Sequence, residues 1–413
     1  MMNARTLLLS ASLACFMGTG ALAGETPSTD SDRAMSAELL ADSSARASAL
    51  EAPPADLPKI SGNLLFRYYG NFGSDKLPAG SKDFANGFQT RRVRVSVQGQ
   101  IWNPNLTYRI DYENNRADGA AALQEAFGDY KFDNGFSLRW GQFKAPLLKE
   151  ELVSHTLQLA TERSTVNSIF SATYTQGVCG TYAMDAWRFM GMFSDGLKAL
   201  NTDYDNGGSV PGGEADYALT GRAEYKFAGE WKNFDQFTSF RNSPFVGMVG
   251  GAIHWQDGGS TFASTGSGAT TNISVLEYTA DAMVKGNGWN AFAEFVGRHA
   301  KDQTTPTEAT YDDFGFVVQG GYFFTNELEG FARYDVVAPD KDRTNHSVFH
   351  EITIGGNYYF IPESQAAKFT LDLLICPSKQ SKSSSLVATN TASGLLAADK
   401  SQFVLRAQMQ LLY

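Results

Sequence analysis

From about residue 59 onward, apolar and polar side chains alternate one by one along the chain. The clearest stretch is Thr90–Trp102, T-R-R-V-R-V-S-V-Q-G-Q-I-W, where Val93, Val95 and Val97 alternate with Arg92, Arg94, Ser96 and Gln98. A period of two marks a β-strand with one apolar and one polar face. Two arginines on one face do not suit a sheet lying on a dry core. Hydrocarbon on one side and water on the other does. The device repeats in Leu106, Tyr108, Ile110 and Tyr112, which alternate with Thr107, Arg109, Asp111 and Glu113. It repeats again in Phe136, Leu138 and Trp140 against Ser137, Arg139 and Gly141.

Read this way, the chain predicts about sixteen strands. They lie near 59–72, 88–102, 105–115, 121–132, 135–144, 176–185, 186–195, 214–228, 243–256, 271–286, 288–300, 311–325, 326–338, 347–360, 366–376 and 399–413. These are longer than the 5–6 residues usual in globular sheets and match the roughly 9–11 of a tilted membrane strand. The connections alternate in length. Asn103-Pro104, Asp133-Asn134-Gly135, Gly286-Asn287-Gly288 and Thr325-Asn326 carry turn residues. Between them lie long segments at 73–87, 145–175, 196–213, 257–270, 301–310 and 377–398. Short turns at one end and long loops at the other predict an all-β fold: a transmembrane antiparallel up-and-down barrel. One connection breaks the rule. Residues 229–242 stand where a short turn is due, yet are long and carry Trp231, Phe234, Phe237 and Phe240. The last segment keeps Phe403, Leu405, Met409, Leu411 and Tyr413 on one parity, as barrel closure requires.

The N-terminus changes the compartment. Arg5, the apolar run Leu7–Met17 and Ala21-Leu22-Ala23 before Gly24 predict a signal peptide over 1–23. A retained anchor is the alternative, but the run is short for a spanning helix and is followed at once by Gly18 and Gly20. Residues 24–57 hold seven acids against two bases, and predict a periplasmic tail or one short helix ahead of Pro53, Pro54 and Pro58. A disordered linker is the other reading. The barrel is expected over 58–413.

Composition supports strands and turns: among 413 residues there are 29 Phe, 17 Tyr, 40 Gly and only 13 Pro. The net charge of −10 excludes a uniformly basic nucleic-acid binder. After cleavage only Cys179 and Cys376 remain, too few for a disulfide framework or a cysteine zinc site. The five histidines, at 155, 254, 299, 346 and 350, show no metal-ligand spacing, and neither a nucleophile elbow nor a phosphate loop occurs. No catalytic residue, metal or cofactor is therefore assigned, and an enzyme is not expected.

Parity places Arg67, Arg92, Arg94, Arg109, Arg139, Arg188, Arg222 and Lys226 on the water side, with Arg298, Arg333 and Arg406 later by the same rule. A guanidinium stays charged and offers a fork of donors to oxyanions. A row of them in a narrow lumen suits an anion path. The alternative is that each pairs with a lumen carboxylate such as Asp111, Glu113, Glu224, Glu277, Asp281, Glu294, Glu351 or Asp372. Bases dominate early and acids late, so one wall is expected to be basic. Because the barrel is itself net acidic, anion preference would have to come from placement.

The stretches F-Q-T-R-R-V-R-V-S-V-Q-G-Q-I (88–101), Y-R-I-D-Y (108–112), S-L-R-W-G-Q-F-K-A-P (137–146) and T-E-R-S (161–164) resemble the phosphate-selective porins O and P. The resemblance implies a trimeric, sixteen-stranded outer-membrane channel with anion preference, whose partners are outer-membrane lipid and small anionic solutes. It also implies that the loop 145–175 folds into the lumen. Lys144 at its start and Arg163 within it then become constriction candidates. An extracellular loop with solvated charges is the alternative. Three other functions stay open: a nonspecific or sugar-permeable porin, a barrel enzyme acting on lipid, and a soluble glycan-binding β-protein.

Overall fold

The computed structural model describes residues 57–73, 84–115, 118–202, 215–258, 273–302, 309–343, 346–377, 386–387, 392–396 and 401–413. The expected signal peptide and most of the 24–57 tail lie outside them. Sixteen strands form one closed antiparallel barrel in which each pairs with its chain neighbours and β1 closes on β16. They are β1 (Lys59–Gly73), β2 (Phe84–Ile101), β3 (Asn103–Asn114), β4 (Ala121–Lys131), β5 (Phe136–Lys144), β6 (Tyr174–Ala183), β7 (Trp187–Ser194) and β8 (Tyr217–Ala228). Then follow β9 (Val246–Asp257), β10 (Ile273–Gly286), β11 (Trp289–Asp302), β12 (Ala309–Phe323), β13 (Leu328–Ala338), β14 (Phe349–Tyr359), β15 (Ala367–Cys376) and β16 (Gln402–Leu412). Closure leaves no free edge: Gly62 and Tyr413 exchange both backbone hydrogen bonds, at 2.8 and 3.0 Å.

Alternation decides the two faces. Outward residues are large and apolar, among them Phe66, Phe88, Trp140, Trp187, Phe189, Tyr225, Phe227, Trp255, Phe316 and Phe403, all exposed on the isolated chain. That band faces lipid. The inward residues of the same strands include many charged, amide and hydroxyl side chains, with apolar ones where loops pack against them. Tight turns sit at one end. Asn287-Gly288 joins β10 to β11, and Gly288 takes φ 74°, a left-handed value that glycine meets without strain. The turn expected at Asn103-Pro104 centres instead on Trp102, at φ 64°, and Pro104 falls near the start of β3, where a strand tolerates proline.

Among the described residues several connections pack inward, and two of them shape the site. The β5–β6 loop, 145–173, enters the lumen and carries helices α1 (Lys149–Leu152) and α2 (Thr165–Phe170). Leu147, Leu148, Val166 and Phe170 are fully buried against strand residues such as Val296, Val337 and Val404. The in-folded loop expected from the family resemblance is thus present, and its apolar face explains it. The aromatic-rich β8–β9 connection folds in from the opposite end. Phe234 and Phe237 are buried with Leu159 and Ala160 of the long loop, the Phe237 ring lies tilted with its centroid 4.8 Å from that of Phe292, and Phe237 N donates to Leu157 O at 3.3 Å. Lys285 holds this connection in place by donating to the carbonyls of Asn233, Gln236 and Thr238.

Candidate functional site

The lumen has two unlike walls. The first is formed by β2–β5 with one flank of the long loop. Here the register of β1 against β2 shifts: Leu65 opposes Arg92 and Phe66 opposes Thr90, so Arg91 is an extra residue. Such a bulge re-aims side chains, and Arg91 and Arg92 both turn into the lumen. Arg91 Nε meets Glu162 at 2.5 Å and Arg92 Nε meets Glu113 at 2.7 Å. Arg94 reaches Glu113 at 2.7 Å, Asp111 at 3.4 Å and the Tyr174 hydroxyl at 2.9 Å. Arg109 lies 2.8 Å from Asp111 and 3.4 Å from Glu125. Arg139 lies 2.7 Å from Asp129 and sits 4.2 Å above the Phe127 ring. Lys144 donates to the Glu151 carbonyl at 2.6 Å and approaches its carboxylate at 3.5 Å. Arg163 shares that carboxylate at 3.4 Å.

This wall therefore interleaves seven bases with six acids rather than being purely basic. It keeps contact with water. The side chains of Arg109 and Arg139 are 37% and 41% exposed, and Arg92, Arg163 and Glu162 are also partly open. Burial opposes charge on Glu162, but Arg91 and Arg67 outweigh it and hold the carboxyl well below the ordinary range. Glu151 is lowered in the same way: burial opposes, and Arg163 and Lys144 prevail. His155, 3.4 Å from Asn63, is pushed well below its usual value by burial and then by Arg92 and Arg94, so it is neutral here.

The second wall, β8–β16 continuing onto β1, is sealed under the long loop. Its arginines are anchors. Arg222 donates to Leu147 O at 3.1 Å and pairs with Asp281 at 2.8 Å and Glu224 at 2.9 Å. Arg298 pairs with Glu277 at 2.7 Å and reaches Ile169 O at 3.2 Å. Arg333 donates to Glu162 O at 2.7 Å and Arg406 pairs with Asp372 at 2.5 Å. Arg67, fully buried, bonds Gln408, the Tyr69 hydroxyl, Glu162 and the carbonyls of Thr161 and Ala392. Carboxylates serve the same end: Glu294 accepts from Lys149 N at 2.5 Å, Asp335 from Thr165 N at 3.0 Å and Asp372 from Thr161 N at 2.9 Å.

Of the sequence candidates, then, Arg92, Arg94, Arg109, Arg139, Lys144 and Arg163 come together on the open wall. Arg67 and Arg222 belong to the sealed one. Arg188 and Lys226 stand apart near the short-turn end, stacked on Trp231 at 4.5 and 5.5 Å, with Arg188 bonded to Glu224 at 2.6 Å. Parity missed Arg91. The signal was the doubled arginine itself, which interrupts strict alternation and marks an inserted residue.

A barrel of this kind, with a long loop docked on one wall and water left along the other, is the architecture of a diffusion channel. The fold is similar to OmpT of the outer membrane of Vibrio cholerae, at 12% identity and TM-score 0.56, covering 88% of this chain and 100% of that one. It is similar to an anion-selective porin from Comamonas acidovorans, at 12% identity and TM-score 0.57, covering 86% and 99%. It is also similar to the outer-membrane channel DcaP of Acinetobacter baumannii, at 11% identity and TM-score 0.56, covering 86% and 97%. Among curated proteins none matches by sequence. The model of one family covers residues 66–412: the chain belongs to the phosphate-selective porin O and P family and is an outer-membrane porin.

Proposed function

We propose that this porin passes small anions by diffusion, with phosphate or another oxyanion favoured, along the wall formed by β2–β5. One observation carries the reading. Arg91 and Arg92 each meet a carboxylate through Nε alone among the described contacts. Two terminal nitrogens on each fork remain for a solute. Oxyanion recognition by guanidinium needs such paired donors. Attraction inside a confined lumen is weakly screened, yet must stay weak enough for release. Arg94, Arg109 and Arg139 continue the row, each tempered by a neighbouring carboxylate, of which Glu113 and Asp111 are shared. Lys144 and Arg163 form the loop side of the constriction. The family name and the neighbouring anion-selective porin agree with this reading.

The test is reversal potential across a salt gradient, for the wild type and for Arg91→Ala plus Arg92→Ala. Anion preference that falls in the double variant is expected. Cation preference in the wild type refutes the reading. The interleaving of acids with bases favours a second reading, a general pore open to neutral sugars; vesicle swelling with sugars and phosphate at equal size separates the two. Chemistry on a substrate has no part in either proposal, and a lipid-hydrolysis assay that found turnover would overturn that. A homotrimer is proposed from the family alone, and native mass in detergent measures it.

A further inference from the structure

A polar recess lies at the short-turn end of the barrel, the end that faces the periplasm in such folds. Here the β8–β9 connection hooks over the β10–β11 turn. Gly288 N donates to Phe240 O at 3.1 Å, and Asn242 N donates to the Asn287 side-chain oxygen at 2.7 Å. Arg241 then reaches the end of β12, where its Nη2 donates to Phe323 O and Phe324 O, each at 3.0 Å. Arg241, Asn242, Asn287, Tyr322, Phe323 and Asn326 enclose about 320 Å³, at the small end of the range for ligand sites. The other described arginines each have a carboxylate partner. Arg241 has none, and its Nε and Nη1 meet no partner among the described residues. Because Asn287 Oδ1 is taken by Asn242 N, the Asn287 NH2 group is left to donate elsewhere. Glu327, next to Asn326, is engaged by the Thr325 hydroxyl at 3.0 Å.

The surroundings of the recess say what it meets. Phe245, Trp289, Tyr322 and Phe324 are exposed on the lipid face beside it. Their rings pair, Phe245 with Trp289 at 6.3 Å and Tyr322 with Phe324 at 5.6 Å. An aromatic girdle of this kind marks the level of lipid headgroups. Tyr322 belongs to the girdle and also lines the recess, so the recess adjoins the bilayer and not the lumen. We infer that it binds the phosphodiester headgroup of an acidic phospholipid of the phosphatidylglycerol class, from the periplasmic leaflet. The Arg241 fork takes the phosphate oxygens. The asparagine amides take the glycerol hydroxyls, and the acyl chains lie along Trp289 and Tyr322. An ammonium headgroup matches less well, because the recess presents a guanidinium to it. The inference stands apart from the anion reading of the lumen.

The experiment is native mass spectrometry of the detergent-purified porin, delipidated and then titrated with phosphatidylglycerol or phosphatidylethanolamine. One tightly held phosphatidylglycerol per chain is expected, with phosphatidylethanolamine weaker by roughly tenfold, the worth of one hydrogen bond to a charged group. Arg241→Gln should weaken phosphatidylglycerol by roughly tenfold or more for the same reason. That variant also loses the bonds to Phe323 O and Phe324 O. If it lacks the heat-modifiable mobility of a folded barrel, Asn326→Asp decides. It keeps Arg241, retains a residue that turns accept, and sets a negative charge beside the phosphate. Phosphatidylglycerol should then weaken by roughly fivefold, the worth of one charge near a lipid surface. Equal phosphatidylglycerol affinity in the wild type and a folded variant overturns the inference, as does equal affinity of the wild type for the two lipids. Release of the bound lipid by millimolar inorganic phosphate also overturns it, since the recess would then be a site for the free ion.

Discussion

The two lumen walls are built from the same residue types and behave as opposites. On β2–β5 each base has an acid beside it, yet Arg109 and Arg139 stay more than a third exposed. On β8–β16 the pairs Arg222–Glu224, Arg298–Glu277 and Arg406–Asp372 are wholly buried. What differs is the loop. Where it lies on the wall, charges become fasteners; where it does not, they remain a surface for solute. An arginine in a porin lumen is therefore not by that fact a selectivity residue.

The largest effect that can break this contrast is on stability. Arg406→Met strands Asp372 in a dry setting, and unpairing a buried charge costs about 3–5 kcal/mol. Denaturant unfolding in detergent measures it. Next is Phe237→Ala. Its ring fills the contact between the two in-folded segments, so the loss is about 3 kcal/mol. Single-channel conductance should rise with it as the long loop loses its support. Arg139→Met on the open wall should cost under about 1 kcal/mol, the usual worth of an exposed pair, while lowering anion preference in the reversal potential. If Arg139→Met proves as destabilising as Arg406→Met, the distinction between the walls fails.

The smallest effect is one of pH. His155 is neutral in the folded loop, because burial and the nearby Arg92, Arg94, Arg163 and Lys144 all disfavour its charge. A histidine with a depressed folded pKa contributes stability above its unfolded value, near 6.5, and loses it as pH falls toward the folded one. Stability should therefore decline from pH 6.5 to pH 5 by at most about 1.4 kcal/mol per unit. His155→Asn should flatten that slope in thermal melts. Glu162 and Glu151, both held low, contribute stability that is present above the unfolded carboxylate value and is lost as pH falls from there through their folded values. They should add little to the slope in this window, and that only at its acid end.

Much of the fold was legible because a membrane strand writes its two environments directly into alternate residues. All sixteen expected strands are present, with ends displaced by a few residues, and the terminal Phe403–Tyr413 segment does close the barrel. The inward turn of 145–173 was legible only by family resemblance, since nothing local separates an apolar loop that docks from one that does not. The aromatic connection Trp231–Phe240 was visible as an anomaly, but its destination was not. The site was legible in kind and not in assignment. Parity tells which face a side chain takes, and it did so for Arg92, Arg94, Arg109 and Arg139. It says nothing about what lies opposite across the lumen, and so ranked Arg67 and Arg222 beside them. It also fails at a bulge, where one inserted residue turned Arg91 inward. The sequence by itself determined the barrel, its faces and its charged interior, because those follow from neighbours one or two residues apart. Only the tertiary structure decided which charges meet water, because that depends on where the β5–β6 loop lies, through contacts such as Thr165 to Asp335 that span 170 residues of chain.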